Sequence, residues 1–248
     1  MVIKKHIPNF ITCLNLFCGC ASIVFSTQGM IALAAYLIFA AIIFDFIDGL
    51  AARTLKAYTE IGKQLDSLAD MVSFGTAPAF ILFYILDTQT VNYFHTSVQL
   101  ATTPVFLYLL PFSSFLISIF SALRLAKFNI DPRQTVNFIG LPTPATAMFI
   151  SSLAFIPGDD LFGGWVQNPY VLLVFIFMLS LLMVSNIPLF SMKVKNLKWK
   201  DNVHRFIFLV IALILIIILK FAAIPIIIIL YVVLSLLLPW NKVEDNEV

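Results

Sequence analysis

The sequence predicts an all-α polytopic membrane protein with about eight transmembrane helices. Two observations carry this. Hydrophobic residues make up 61% of the 248 positions and charged residues 11%, whereas a soluble domain has roughly a quarter of its residues charged. The apolar residues, including 25 Phe, recur as long blocks along the whole chain at a mean hydropathy of +1.01, so neither one signal peptide nor one anchor accounts for them.

The blocks fall near residues 10–26, 31–53, 62–86, 103–126, 142–157, 169–188, 204–219 and 224–239, each bounded by polar or Gly/Pro-rich segments. Read as one helix, 204–239 would run roughly 54 Å against a hydrocarbon core of about 30 Å, so Lys220 and Pro225 are read as a tight hairpin. Basic residues set the orientation. With a cytoplasmic N-terminus, Lys4, Lys5, Arg53, Lys56, Lys63, Arg124, Lys127, Arg133, Lys193, Lys195, Lys198, Lys200, Arg205 and Lys242 all lie inside, and Lys220 lies outside. The outer loops near 87–102 and 158–168 carry no Lys or Arg, and the second holds Asp159 and Asp160. This places both termini in the cytoplasm and fits a bacterial inner membrane, since no targeting extension precedes the first block. The lysines at 193–200 read as an ordinary positive-inside loop.

Other chemistries find little support. A net charge of +2 is too small to argue for nucleic acid. Cys13, Cys18 and Cys20 share the first block with no fourth ligand, so a zinc site is not expected. His6, His95 and His204 lie in separate polar segments and form no cluster.

Aspartates inside spans are costly, which makes them functional candidates. Asp45 and Asp48 are three residues apart at the end of the second span, and Asp66 and Asp70 four apart at the start of the third, so each pair shares a helix face. The two helices are consecutive and antiparallel, which lets the pairs face each other near the cytoplasmic interface. Four clustered carboxylates demand compensating cations. An all-oxygen ligand set suits Mg²⁺ or Mn²⁺, which is typically shared with substrate phosphates. Gly49, Ala52 and Gly62 either admit a nucleotide to the helix backbone or allow close helix packing, and Arg53 either meets a phosphate or reaches to the interface.

The run Asp45-x2-Asp48-Gly49-x2-Ala52-Arg53-x8-Gly62-x3-Asp66-x3-Asp70 resembles the complete signature of the CDP-alcohol phosphatidyltransferases. The resemblance implies a core of six membrane helices, a homodimer, a divalent metal, and a CDP-linked lipid donor whose cytidine sits by the small residues. The expected organisation is then a catalytic core at 1–188, a basic cytoplasmic loop at 189–203, and a C-terminal hairpin with an acidic tail at 204–248. The expected metal ligands are Asp45, Asp48 and Asp66, with Asp70 as general base or shared ligand, and donor binding falls to Gly49, Ala52, Arg53, Gly62 and Ser67.

Three further stretches resemble the serine-using branch of that family: Ile7-Pro8-Asn9-x2-Thr12-x2-Asn15-Leu16-x2-Gly19, Ser67-Leu68-Ala69-Asp70-x2-Ser73-Phe74-Gly75-x-Ala77-Pro78, and Arg124-Leu125-Ala126-Lys127-Phe128-Asn129 with Gly140-Leu141-Pro142-x-Pro144-Ala145. Lys127 stands where the branch has Arg, keeping the charge and losing the bidentate fork. The expected substrates are CDP-diacylglycerol and L-serine, with Arg124, Lys127 and Asn129 at the acceptor. Glycerol phosphate, inositol or choline as acceptor is the alternative within the family. A cation- or proton-coupled transporter using the aspartates as an ion site is the alternative outside it, although no internal repeat of the kind common in transporters is visible.

Overall fold

A computed structural model describes residues 2–95, 105–130, 138–158, 162–189 and 199–237. Nearly every element is helical. α1 (Val2–Thr27) and α2 (Ile31–Thr54) form an antiparallel hairpin, turned at Gly29 with φ +76° and tied by the Ser22 hydroxyl, which donates to the Ala34 carbonyl at 2.9 Å. A left-handed backbone at this turn favours glycine.

α3 (Glu60–Asp70) begins where the Thr59 hydroxyl accepts from the Gly62 N–H at 2.9 Å, capping the new helix. It runs through a π-helical turn, Met71–Thr76, into α4 (Ala77–His95). The third span is thus longer at its outer end than 62–86. A second composite rod follows: α5 (Val105–Leu109), a 3₁₀ segment at Leu110–Phe115, and α6 (Leu116–Ile130). Then come α7 (Thr143–Leu153), α8 (Gly163–Gln167), α9 (Pro169–Val184), α10 (Trp199–Leu219) and α11 (Ala223–Leu237).

By length and composition, five described stretches can cross a membrane: His6–Thr27, Ile31–Thr54, Glu60–Tyr93, Leu107–Ile130 and Arg205–Leu237. The last is two helices. Lys220 has φ +51°, and the rings of Phe208 and Tyr231 lie 5.9 Å apart, whereas a straight helix would separate such residues by about 34 Å. The apolar helices α7 and α9 are shorter. α9 ends before 188 because the carbonyls of Leu182 and Ile187 accept from the N–H groups of Leu141 and Gly140, both at 2.9 Å. These bonds seat a two-stranded antiparallel ladder, β1 (Phe138–Ile139) with β2 (Pro188–Leu189). The chain is a multi-pass membrane protein. Arg133, Asp159, Asp160, Lys193, Lys195, Lys198 and the acidic tail lie outside the described residues.

The core gathers Ile38 of α2, Phe74 of the π turn, Ile81 and Leu82 of α4, Phe149 of α7, and Leu172 and Ile176 of α9, all fully buried. Outward apolar residues such as Ile214, Ile217 and Ile218 on α10 are exposed, as expected where lipid is the solvent. Helix α1 approaches the π turn closely. A Cβ on Gly19 would lie 2.5 Å from Ser73 Oγ and 2.8 Å from Ser73 Cα. Gly19→Ala should therefore force backbone apart and cost about 1–3 kcal/mol, read as a lowered Tm of the purified protein in detergent; an unchanged Tm would show that the two helices can slide.

Candidate active site

The geometry of the site begins with the turn between α2 and α3. Lys56, with φ +49°, lets the Ala57 N–H reach back to the Ala52 carbonyl at 2.9 Å, so the last carbonyls of α2 are satisfied before α3 starts. The capped start of α3 then brings Asp66 opposite Asp45 and Asp48. One carboxylate oxygen from each of these three lies within 4.8 Å of the other two. Asp70, one turn deeper, is not part of this trio, although its charge interacts with Asp45, Asp66 and Asp48.

Helix α1 supplies partners that sequence reasoning did not assign to the site. Thr12 Oγ1 donates to Asp48 Oδ2 at 2.7 Å, and Asn15 Nδ2 donates to Asp70 Oδ1 at 3.2 Å. Thr12 and Asn15 are buried. The signal was present in their spacing: Thr12, Asn15, Gly19, Ser22 and Ser26 recur every three or four residues along one face of the apolar stretch of α1.

A cleft of about 530 Å³ opens beside the trio, lined by Pro8, Asn9 and Thr12, by Asp45, Asp48, Gly49 and Ala52, by the turn residues Ala57, Tyr58, Thr59 and Glu60, and by Gly62, Lys63 and Asp66. Of the predicted donor residues, Gly49, Ala52 and Gly62 line it. Arg53 does not, and its Nε donates to the Gly49 carbonyl of its own helix at 3.1 Å. Ser67 lies outside the lining too; its hydroxyl donates to the Lys63 carbonyl at 3.3 Å and accepts from Asn129 Nδ2 at 2.9 Å, tying α3 to α6.

The three predicted acceptor residues do not converge. Arg124 is buried, 7% exposed, and its charge interacts with that of Asp70. Its Nη1 donates to Thr143 Oγ1 at 3.4 Å, its guanidinium lies over the Phe128 ring at 5.4 Å, and its Nε has no hydrogen-bond partner among the described residues. Lys127 is exposed and donates to the Val184 carbonyl at the end of α9, at 3.4 Å. Asn129 is engaged with Ser67.

The donor set suits a hard divalent ion: three carboxylates, no soft ligand, and oxygens close enough to share one cation. Over residues 5–182, from α1 to the last turns of α9, the chain matches the family described as CDP-alcohol phosphatidyltransferase. It belongs to that family. Family membership also removes the transporter alternative. The chain is 32% identical over 235 residues to the CDP-diacylglycerol–serine O-phosphatidyltransferase of Helicobacter pylori, covering 93% of this chain and 89% of that protein. To the protein of the same name from Bacillus subtilis it is 36% identical over 187 residues, 74% of this chain and 89% of that one. It is also similar to an archaetidylserine synthase of Methanothermobacter thermautotrophicus, 32% identical over 148 residues, 59% and 56% of the two chains.

In this phosphatidyltransferase the small residues at the cleft are not equivalent. A Cβ on Gly49 would meet nothing nearer than Arg53 Nη2 at 4.0 Å, whereas one on Gly62 would lie 2.9 Å from both Asn9 Oδ1 and the capping Thr59 Oγ1. Gly62 serves packing and the cap; packing makes no such demand on Gly49. Gly49→Ala should leave Tm unchanged or raise it slightly, since a helical Gly costs about 0.5–1 kcal/mol relative to Ala. Gly62→Ala should lower Tm by displacing the cap, a loss of about 1 kcal/mol. Equal thermal shifts in the two variants would contradict this division.

Proposed function

We propose that this enzyme transfers the phosphatidyl group of CDP-diacylglycerol to L-serine, giving phosphatidylserine and CMP. The observation that carries the reading is the pairing of a carboxylate trio at a cleft with a buried arginine whose Nε has no partner among the described residues and whose charge interacts with that of Asp70. The names of the relatives from Helicobacter pylori and Bacillus subtilis support serine as the acceptor.

Asp45, Asp48 and Asp66 would hold Mg²⁺ or Mn²⁺, which neutralises diphosphate charge when bound. Gly49, with open space over its backbone, and Ala52 admit the CDP moiety to the cleft, with Arg53 and Ser67 at its margin. Arg124 receives the serine carboxylate on its unpaired edge, since a buried donor left unmatched is costly. Asn129, through Ser67, holds α3 in place, and Lys127 braces the end of α9 at the rim of the acceptor site. Asp70 accepts the proton of the serine hydroxyl. The freed oxygen attacks the lipid-side phosphorus, a P–O bond forms, and the bond to the CMP phosphate oxygen breaks with its electron pair leaving on CMP.

The basic residues described above support an orientation with the site and both termini in the cytoplasm, in a bacterial inner membrane. We also assign residues 1–188 as the catalytic core, 189–203 as a basic loop, and 204–248 as an appended hairpin and tail, and infer that the enzyme is a homodimer.

Asp45→Asn or Asp66→Asn should abolish CMP release while the protein still inserts and purifies, because one lost anionic ligand weakens metal binding without emptying the helix interface. EDTA should inactivate the wild type, with Mn²⁺ or Mg²⁺ restoring activity and Zn²⁺ failing to; full activity after exhaustive chelation would rule out the metal site.

With a panel of alcohols, CMP release should require serine. In two-substrate kinetics Arg124→Ala should raise the serine KM on the order of 10- to 100-fold, the worth of one charge-assisted hydrogen bond, with the donor KM little changed and a smaller effect for Lys127→Ala. A raised donor KM instead would assign Arg124 to the phosphates.

A further inference from the structure

We propose that Asn15 is a positioning residue for the transfer step, holding Asp70 so that one carboxylate oxygen is tied and the other is presented to the acceptor hydroxyl. The inference rests on the role given to Asp70 above and adds a residue on a different helix.

Asn15 Nδ2 donates to Asp70 Oδ1 at 3.2 Å. Two contacts at Ser73 hold the pair in place. The Ser73 hydroxyl, three residues beyond Asp70, donates to the Asn15 backbone carbonyl at 3.0 Å. Gly19, one turn along α1 from Asn15, lets the Ser73 backbone approach to where a Cβ would sit. The backbone of Asn15 and the helix carrying Asp70 are therefore held against each other at the level of the carboxylate, and the side-chain bond between them is short of freedom.

The energetics indicate what the amide is for. Asn15 is 0% exposed, and its Oδ1 has no hydrogen-bond partner among the described residues. A buried unpaired acceptor costs about 1–3 kcal/mol, so an apolar side chain of similar size would suit stability better if packing were its whole task. The half of the amide that is satisfied is the half that touches Asp70.

The choice of donor also matters. An amide orients a carboxylate through one N–H without adding a positive charge beside it. The task is separate from that of Thr12, which reaches Asp48 in the trio. α1 thus presents two polar residues to two different aspartates, one a proposed metal ligand and one the proposed base.

The test compares Asn15→Leu, Asn15→Ala and Asn15→Ser with wild type in mixed micelles, by CMP-release kinetics and by calorimetric titration with Mn²⁺ alone. If Asn15 positions Asp70, Asn15→Leu keeps Mn²⁺ affinity and donor KM within about twofold while kcat falls on the order of 10- to 100-fold. Asn15→Ser, whose hydroxyl can still donate, recovers part of kcat relative to Asn15→Ala. Thr12→Val should show the opposite split, with weakened Mn²⁺ binding.

Unchanged kcat in Asn15→Leu overturns the proposal, and so does a joint loss of Mn²⁺ affinity, donor KM and kcat, which marks a packing role. Should Asn15→Leu fail to fold, the Ala and Ser variants decide by the same split, and equal kcat in those two overturns it. Wild-type enzyme that releases CMP with another alcohol and not with serine would refute the acceptor assignment, and the Asn15 split is then read with that alcohol.

Discussion

The arrangement of this protein depends on the mutual repulsion of carboxylates gathered where α2 ends and α3 begins. Three of them bring oxygens within 4.8 Å of one another, at a place where the surrounding dielectric is far below that of water. Nothing in the packing of apolar helices would produce such a cluster. It is held by constraints that are local and specific: the left-handed Lys56 in the turn, the Thr59 cap on α3, and the hydroxyl of Thr12 on Asp48.

Around that cluster the remaining elements divide the work. α1 lays a polar stripe against α2, α3 and the π turn, and Gly19 gives the contact its closeness. α6 joins Asn129 to Ser67 of α3, and the charge of its Arg124 interacts with that of Asp70. The short ladder of β1 and β2 ties the start of α7 to the end of α9. Among the described residues, none of α10 or α11 lines the cleft.

Much of this was legible in the sequence, for physical reasons. Bilayer burial writes itself as long apolar blocks, so the helical segments and the hairpin at Lys220 could be read directly. The aspartate pairs stood out because charge inside a span is expensive. Thr12 and Asn15 were harder to see, since neutral polar residues in a membrane helix are common and their importance depends on which neighbour they face. Arg124 and Lys127 were expected together at the acceptor, yet one is buried and donates to Thr143 of α7 while the other is exposed and donates to the carbonyl of Val184. A three-residue spacing places two Cβ atoms on one face, but a long side chain follows whichever partner it can reach. The ladder between β1 and β2 left no trace in composition, because it is made by backbone groups.

The π turn at Met71–Thr76 separates two demands that one regular helix would have to meet together. A wider turn holds an additional residue, and each residue of an α-helix advances the side-chain direction by roughly 100°. The aspartates before the turn and the buried Phe74, Ala77 and Ile81 within and beyond it are thereby indexed to different angular origins. The chemistry of the near half and the packing of the far half can each be tuned by substitution without rotating the other out of place.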